Sequence, residues 1–185
     1  MSESAAPLQA VFLDRDGVLS RAIVRGGRPF PPRRLAELEL LPGVPESCRT
    51  LKQAGFKLVM VTNQPDVARG LVTAEEIALM NSRVAAQLEL DLVRVCPHDE
   101  GDGCACRKPR PGMLVSAAEE LGVALPGSVM VGDRWRDVES GQRAGCWTVF
   151  IDQGYAERQP EQFDLRVSSL AESVEWILGK RGTSR

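Results

Sequence analysis

The sequence predicts an α/β fold of three layers, with a central parallel sheet covered by helices on both faces. Three observations carry this. Short apolar runs of strand length alternate along the chain with segments of helical periodicity. Three of those runs stop at polar residues, Asp14, Thr62 and Asp133, as buried strands do where a parallel sheet meets its ligand crevice. No repeat, low-complexity tract or Pro/Gly linker breaks the alternation, so residues 1–185 are expected to form one domain.

The elements follow in order. Residues 8–13 (LQAVFL) read as a buried strand that ends at Asp14. The Gly/Pro cluster at 26–32 (GGRPFPP) reads as a loop, and residues 20–34 as at most a flap. Val44, Cys48, Leu51 and Ala54 share one face of a helix over 44–54, which Gly55 stops. Residues 57–61 (KLVMV) form the second strand, closed by Thr62. Thr73 and Glu76 have capping-box spacing and open a helix that carries Ile77, Met80, Val84 and Leu88 on one side. A short strand at 92–95 leads into a cysteine cluster. Helix 112–121 buries Leu114, Ala118 and Leu121, and SVMVG at 128–132 is a strand ending at Asp133. A helix over 135–144, a strand at 147–151 (WTVFI) and a last helix over 170–179 complete the pattern. The stretch between Thr62 and Lys108 is filled by these elements, which leaves no room there for a separate cap domain.

Composition narrows the function. A net charge of −2 gives no general attraction to nucleic acid or to an anionic membrane, and five Phe, three Trp and one Tyr offer little for stacking bases. No nucleic-acid partner is expected. No apolar run approaches the ~18–20 residues of a membrane span, and MSESAAPLQ lacks the basic start and apolar stretch of a signal peptide. A cytoplasmic protein is expected, and since nothing in the sequence argues for an interface, a monomer. Local charge is less even. Arginines 15, 21, 25, 28, 33 and 34 cluster with Asp16 as their one acidic neighbour, which suits an anion near the first strand end.

The chemistry gathers at the strand ends. In D-R-D-G (14–17) two carboxylates face the crevice, and Gly17 permits a backbone conformation other residues avoid. A D-x-D pair alone is common in turns, but here it follows an apolar strand. In G-D-R-W-R-D (132–137), Asp133 lies at a strand end and Asp137 one helical turn later on the same side. Carboxylates with water and phosphate completing the shell are what Mg²⁺ prefers. Thr62 and Asn63 supply donors for a phosphate, and Lys108 sits in C-R-K-P-R-P-G (106–112), a loop restricted by two prolines.

Cys96, His98, Cys104 and Cys106 offer three thiolates and an imidazole, a set suited to tetrahedral Zn²⁺. Four protein ligands leave no open position, so the zinc is expected to be structural and to pin the loop presenting Arg107 and Lys108. Cys48 and Cys146 read as small buried apolar residues.

The ordered set Asp14-x-Asp16-Gly17, Thr62, Lys108 and Gly132-Asp133 resembles the four-motif signature of the haloacid dehalogenase superfamily, over about residues 9–152. The resemblance implies a Rossmann-like three-layer fold and a phosphatase. It implies Asp14 as nucleophile, Asp16 as general acid and base, and Thr62 and Lys108 steadying the phosphoryl group. It further implies Mg²⁺ on Asp14, Asp133 and the main-chain carbonyl of Asp16, with Asp137 in support. The zinc loop is similar to that of two families of small-molecule phosphatases, which act on heptose bisphosphate and on histidinol phosphate. The L-L-P-G-V, N-Q-x-x-x-A-R-G and C-R-K-P-R-P-G-M runs look more like the former. Pro65-Asp66 stands where that group carries Ser-Gly, and Arg134 where it often carries lysine. Substrate contacts are implied at Asp14, Asp16, Thr62, Asn63, Gln64, Arg107, Lys108 and Arg134, with Arg107 placed for a second phosphate of a small phosphorylated sugar. The readings held against this are another small phosphomonoesterase and a non-catalytic, zinc-stabilised binding module, the latter with no need of Asp14, Asp16, Lys108 and Asp133 together.

Overall fold

The computed structural model describes residues 7–185. Residues 1–6 of the expected leaderless start lie outside them. Eight strands and five helices follow in chain order: β1 (Ala10–Leu13), β2 (Ile23–Arg25), β3 (Arg28–Phe30), α1 (Val44–Gln53), β4 (Lys57–Asn63), α2 (Ala74–Leu88), β5 (Leu92–Cys96), α3 (Gly112–Leu121), β6 (Val129–Gly132), α4 (Trp135–Arg143), β7 (Trp147–Ile151), β8 (Leu165–Val167) and α5 (Leu170–Leu178). Six strands form one sheet in the order β5-β4-β1-β6-β7-β8, and every pairing is parallel.

β1 is apolar throughout because it has a layer on each side. Val11 and Leu13 face a core shared with α1, α2 and α5, and Ala10 and Phe12 face a second core built on α3. All four are fully buried, and each large side chain so buried stabilises the fold by about 1.5–3 kcal/mol. Pairing of β1 with both β4 and β6 sets Leu13 beside Met60 and Val131. The strand ends carrying Asp14, Thr62 and Asp133 are therefore brought to one edge.

The helix starts follow local chemistry. Thr73 caps α2, its hydroxyl accepting from the Glu76 amide at 3.1 Å. The expected return bond from Glu76 is not made. Its carboxylate accepts instead from the Leu35 amide at 3.0 Å and ties the segment before α1 to α2.

Three strands were not foreseen, β2, β3 and β8. GGRPFPP is part of a β-hairpin and not a plain loop, with β2 and β3 antiparallel and Arg25 opposite Arg28. Gly26 and Gly27 both have positive φ, +57° and +76°, as a two-residue hairpin turn requires. The Gly27 carbonyl accepts from the Ala156 amide at 2.8 Å, so the hairpin tip is latched to the segment after β7. β8 is three residues long and adds an edge that carries no clear periodicity.

Candidate active site

A crevice of about 520 Å³ opens at the carboxyl ends of β1, β4 and β6. Asp14, Asp16, Thr62, Asn63, Arg107, Lys108, Arg134 and Asp137 line it. Of the residues expected at the crevice, only Gln64 and Asp133 are absent from the lining, and both are buried.

Lys108 is the hub. It is 2% exposed, and its Nζ lies 2.9 Å from Asp14 and 2.5 Å from Asp137 and donates to the Val61 carbonyl at 2.8 Å. Its loop is held by Asn63, whose amide donates to the Lys108 carbonyl and whose oxygen accepts the Lys108 amide, both at 3.1 Å. Asn63 thus works on the lysine's backbone. Burial disfavours the ammonium, but the Asp137 and Asp14 carboxylates more than offset this and hold Lys108 above the usual lysine range.

The carboxylates are crowded. Burial raises Asp14 to about 6; Lys108 opposes the rise, while Asp137 and Asp16 add to it. Asp133 is pushed well above the carboxylate range by burial, then by Asp14 and Asp137. Asp137 also accepts from the Arg134 amide at 3.0 Å, which fastens the start of α4 to the cluster. The Gly motifs make this packing fit. A Cβ on Gly17, whose φ is +92°, would stand 1.9 Å from Asp133 Oδ2, and one on Gly132 would stand 2.0 Å from Asp137 Cβ.

Both oxygens of Asp133 are buried with no well-formed hydrogen bond, the Tyr155 phenol being the polar neighbour that opposes the rise in its pKa. An unsatisfied buried carboxylate is costly, and oxygens of Asp14 and Asp137 converge on the same place, all within 4.8 Å of one another. Three carboxylates against one ammonium leave a local negative charge that a hard, oxygen-seeking divalent cation would balance. The residues fit such an ion. Tyr155, in the segment after β7, lies on this side as well. Its phenol is raised by burial, then by Asp133.

The zinc candidates converge too. Cys96 Sγ lies 3.6 Å from His98 Nδ1 and 3.7 Å from Cys104 Sγ, and His98 Nδ1 lies 3.3 Å from Cys106 Sγ. Bonds of ~2.0–2.3 Å at tetrahedral angles give edges of about 3.5–3.8 Å, so the donor set fits a zinc ion far better than a disulfide at ~2.05 Å. The cluster is wired to the crevice. The Gln64 main-chain N–H donates to the Cys96 carbonyl at 2.7 Å, and Arg107 Nη1 donates to the His98 carbonyl at 2.9 Å.

The crevice rim carries seven cationic side chains and six carboxylates, so its appetite for anions depends on which cations are unpaired. Arg134 forks onto Glu157, Arg136 pairs with Glu100, and Arg69 pairs with Asp99 and Asp66. Arg107 Nη2 lies 4.0 Å from Asp99, its buried Nε has no partner, and burial lowers its pKa. Arg28 forms no ion pair among the described residues. Of the other N-terminal arginines, Arg21 pairs with Glu39 outside the crevice, and Arg33 pairs with Asp66 on its lining. Gln64, expected to touch substrate, is fully buried and donates to Asp16 and Thr62, each at 2.9 Å. Tyr155 and Glu157 were not foreseen, since the segment after β7 carries no motif.

The haloacid dehalogenase-like hydrolase family matches residues 32–145. A D-glycero-D-manno-heptose-1,7-bisphosphate 7-phosphatase of Thermosynechococcus vestitus is 34% identical, over 92% of this chain and 96% of its own. The D-glycero-beta-D-manno-heptose-1,7-bisphosphate 7-phosphatase of Escherichia coli is 35% identical, over 78% of each. Among solved structures, the D,D-heptose 1,7-bisphosphate phosphatase of Bordetella bronchiseptica, in complex with magnesium and phosphate, superposes with a TM-score of 0.80 at 30% identity, covering 94% of this chain and 99% of its own. A parallel sheet with its acidic strand ends gathered at one edge, a family match across most of the chain and relatives of nearly equal length agree: this protein belongs to the haloacid dehalogenase-like hydrolases.

Proposed function

We propose that the protein is a Mg²⁺-dependent phosphomonoesterase that removes the 7-phosphate of D-glycero-D-manno-heptose 1,7-bisphosphate through an aspartyl-phosphate. The observation that carries the reaction class is the buried cluster of Asp14, Asp133 and Asp137 around Lys108, with no well-formed hydrogen bond to either Asp133 oxygen. The heptose substrate rests on the relatives that bear that name along most of their length.

Asp14, Asp133 and the main-chain carbonyl of Asp16 would hold the magnesium, with Asp137 beside them. When bound, it neutralises carboxylate and phosphate charge and keeps Asp14 ionised. Asp14 attacks phosphorus, and the sugar oxygen leaves with a proton from Asp16. Water then attacks the phosphoenzyme, giving its proton back to Asp16, and Asp14 is released. Lys108 and Thr62 steady the phosphoryl oxygens. Arg107, which lines the crevice, receives the second phosphate, and Arg28 and Arg134 stand on the same rim. A structural zinc on Cys96, His98, Cys104 and Cys106 fixes the loop that presents Arg107 and Lys108. The protein works as a single-domain, cytoplasmic monomer without a nucleic-acid partner.

Phosphate release should be compared for the two anomers of the heptose bisphosphate, histidinol phosphate and a 3′-phosphorylated oligonucleotide. A dominant kcat/KM on a heptose bisphosphate is expected. Preference for histidinol phosphate would overturn the substrate and leave the reaction class standing.

A further inference from the structure

Behind the crevice wall lies a cation that the mechanism above does not use. Arg15 stands between Asp14 and Asp16 in the chain, yet its side chain is fully buried. Its Nε and Nη2 donate to the two oxygens of Asp16, each at 2.9 Å, and its Nη1 donates to Asn81 Oδ1 in α2, also at 2.9 Å. Asp16 accepts in addition from Gln64 Nε2 at 2.9 Å and from the Ser20 hydroxyl at 3.2 Å. With no exposed surface, the Arg15 guanidinium cannot meet a substrate anion. Desolvating it is expensive, and its one ion-pair partner among the described residues is Asp16.

A guanidinium fork meets a carboxylate through two parallel N–H bonds, one to each oxygen. That geometry suits the ionised group, because a carboxylic acid spends one oxygen on its own proton. The half-reaction that needs Asp16 ionised is the second one. We infer that Arg15 is a positioning residue that holds Asp16 as the base for hydrolysis of the phosphoenzyme, with Asn81 anchoring the guanidinium. The inference rests on the roles proposed above for Asp14 and Asp16. In this step a water oxygen bonds to phosphorus while a water proton passes to Asp16. The bond from phosphorus to the Asp14 oxygen breaks, and its electron pair stays on the Asp14 carboxylate.

p-Nitrophenyl phosphate separates the two halves, because p-nitrophenolate leaves without a proton and the first half then makes no demand on Asp16. For Arg15→Lys, which keeps charge and approximate length but not the fork, kcat should fall roughly ten- to hundred-fold. KM should fall with it, leaving kcat/KM within about two-fold, and a burst of p-nitrophenolate should approach one per chain as phosphoenzyme accumulates. Asn81→Leu, which removes the anchor and leaves Arg15 in place, should show the same split at smaller size and serves if Arg15→Lys does not fold. Asp16→Asn is the control. If it shows no split, the role of Asp16 itself fails. If Asp16→Asn shows the split while Arg15→Lys and Asn81→Leu turn over like wild type, the inference about Arg15 is overturned and the role of Asp16 survives. Equal losses of kcat and kcat/KM without a burst in the Arg15 variant would also overturn it.

Discussion

Replacing Lys108 by methionine tests the charge balance of the site directly. The substitution keeps most of the side-chain volume and removes an ammonium that lies 2.9 Å from Asp14 and 2.5 Å from Asp137. Without it, and without added magnesium, three buried carboxylates share one place with no countercharge. Breaking a buried ion pair by removing one partner costs about 3–5 kcal/mol. Protonation limits that cost, since Asp14 already titrates near 6 with the lysine present. The loss must therefore depend on pH. A carboxyl whose pKa is raised by folding contributes stability that is complete below its unfolded value, near ~4, and is lost as pH rises through the folded value. Removing Lys108 moves that folded value further up. We expect a loss of about 3 kcal/mol near pH 8, or roughly 6–12 °C in melting temperature for a chain of this size. Near pH ~5.5, where the carboxyls can hold protons, the loss should be about half or less. Circular-dichroism melts of wild type and Lys108→Met at both pH values, without added divalent cation, measure it. An equal shift at both, or a larger one at the acidic pH, would refute the reasoning.

Other substitutions probe the neighbouring features. Gly17→Ala places a Cβ 1.9 Å from Asp133 Oδ2 on a residue whose φ is +92°; we expect it to cost about 2 kcal/mol or more in urea unfolding and to weaken magnesium binding by titration calorimetry. Metal analysis should find about one zinc per chain, and a strong chelator should lower the melting temperature; a zinc-free protein of full stability would rule out the structural metal. Glu157→Gln frees Arg134 from its ion pair, so KM for a doubly phosphorylated substrate should fall about three-fold or more with kcat little changed, and an unchanged KM would remove Arg134 from the anion site.

Much of the fold was legible because its signals are strong and local. β1, β6 and the centre of β4 are continuous apolar runs, as a parallel sheet covered on both faces favours. Their polar terminators then located the crevice. The hairpin was missed although Gly26-Gly27 carried its turn, because the three following prolines argued more loudly for a loop. In the structure Pro29 sits opposite Val24 in a two-stranded ribbon that stands apart from the main sheet. Gln64 shows a different limit. Its neighbours Thr62 and Asn63 face the crevice, but only the packed structure reveals that Gln64 points inward to Asp16. Arg15 is a related case. Six arginines in one stretch read as a common anion field, whereas tertiary partners divide them: Arg15 serves Asp16, Arg21 is paired on the outside, Arg33 is paired with Asp66 of the crevice lining, and Arg28 remains on the crevice rim. Tyr155 and Glu157 reach the site from a segment with no regular structure, where sequence pattern carries no information about direction.

The central claim is that the Asp14 carboxylate attacks phosphorus, and Asp14→Asn measured beside wild type tests it most directly. The variant is nearly isosteric, and its circular-dichroism spectrum should match. Mg²⁺-dependent phosphate release from heptose bisphosphate should fall by about a thousand-fold or more, and no acid-stable phosphoprotein should be trapped on quenching. Turnover close to wild type in a correctly folded Asp14→Asn protein would contradict the account.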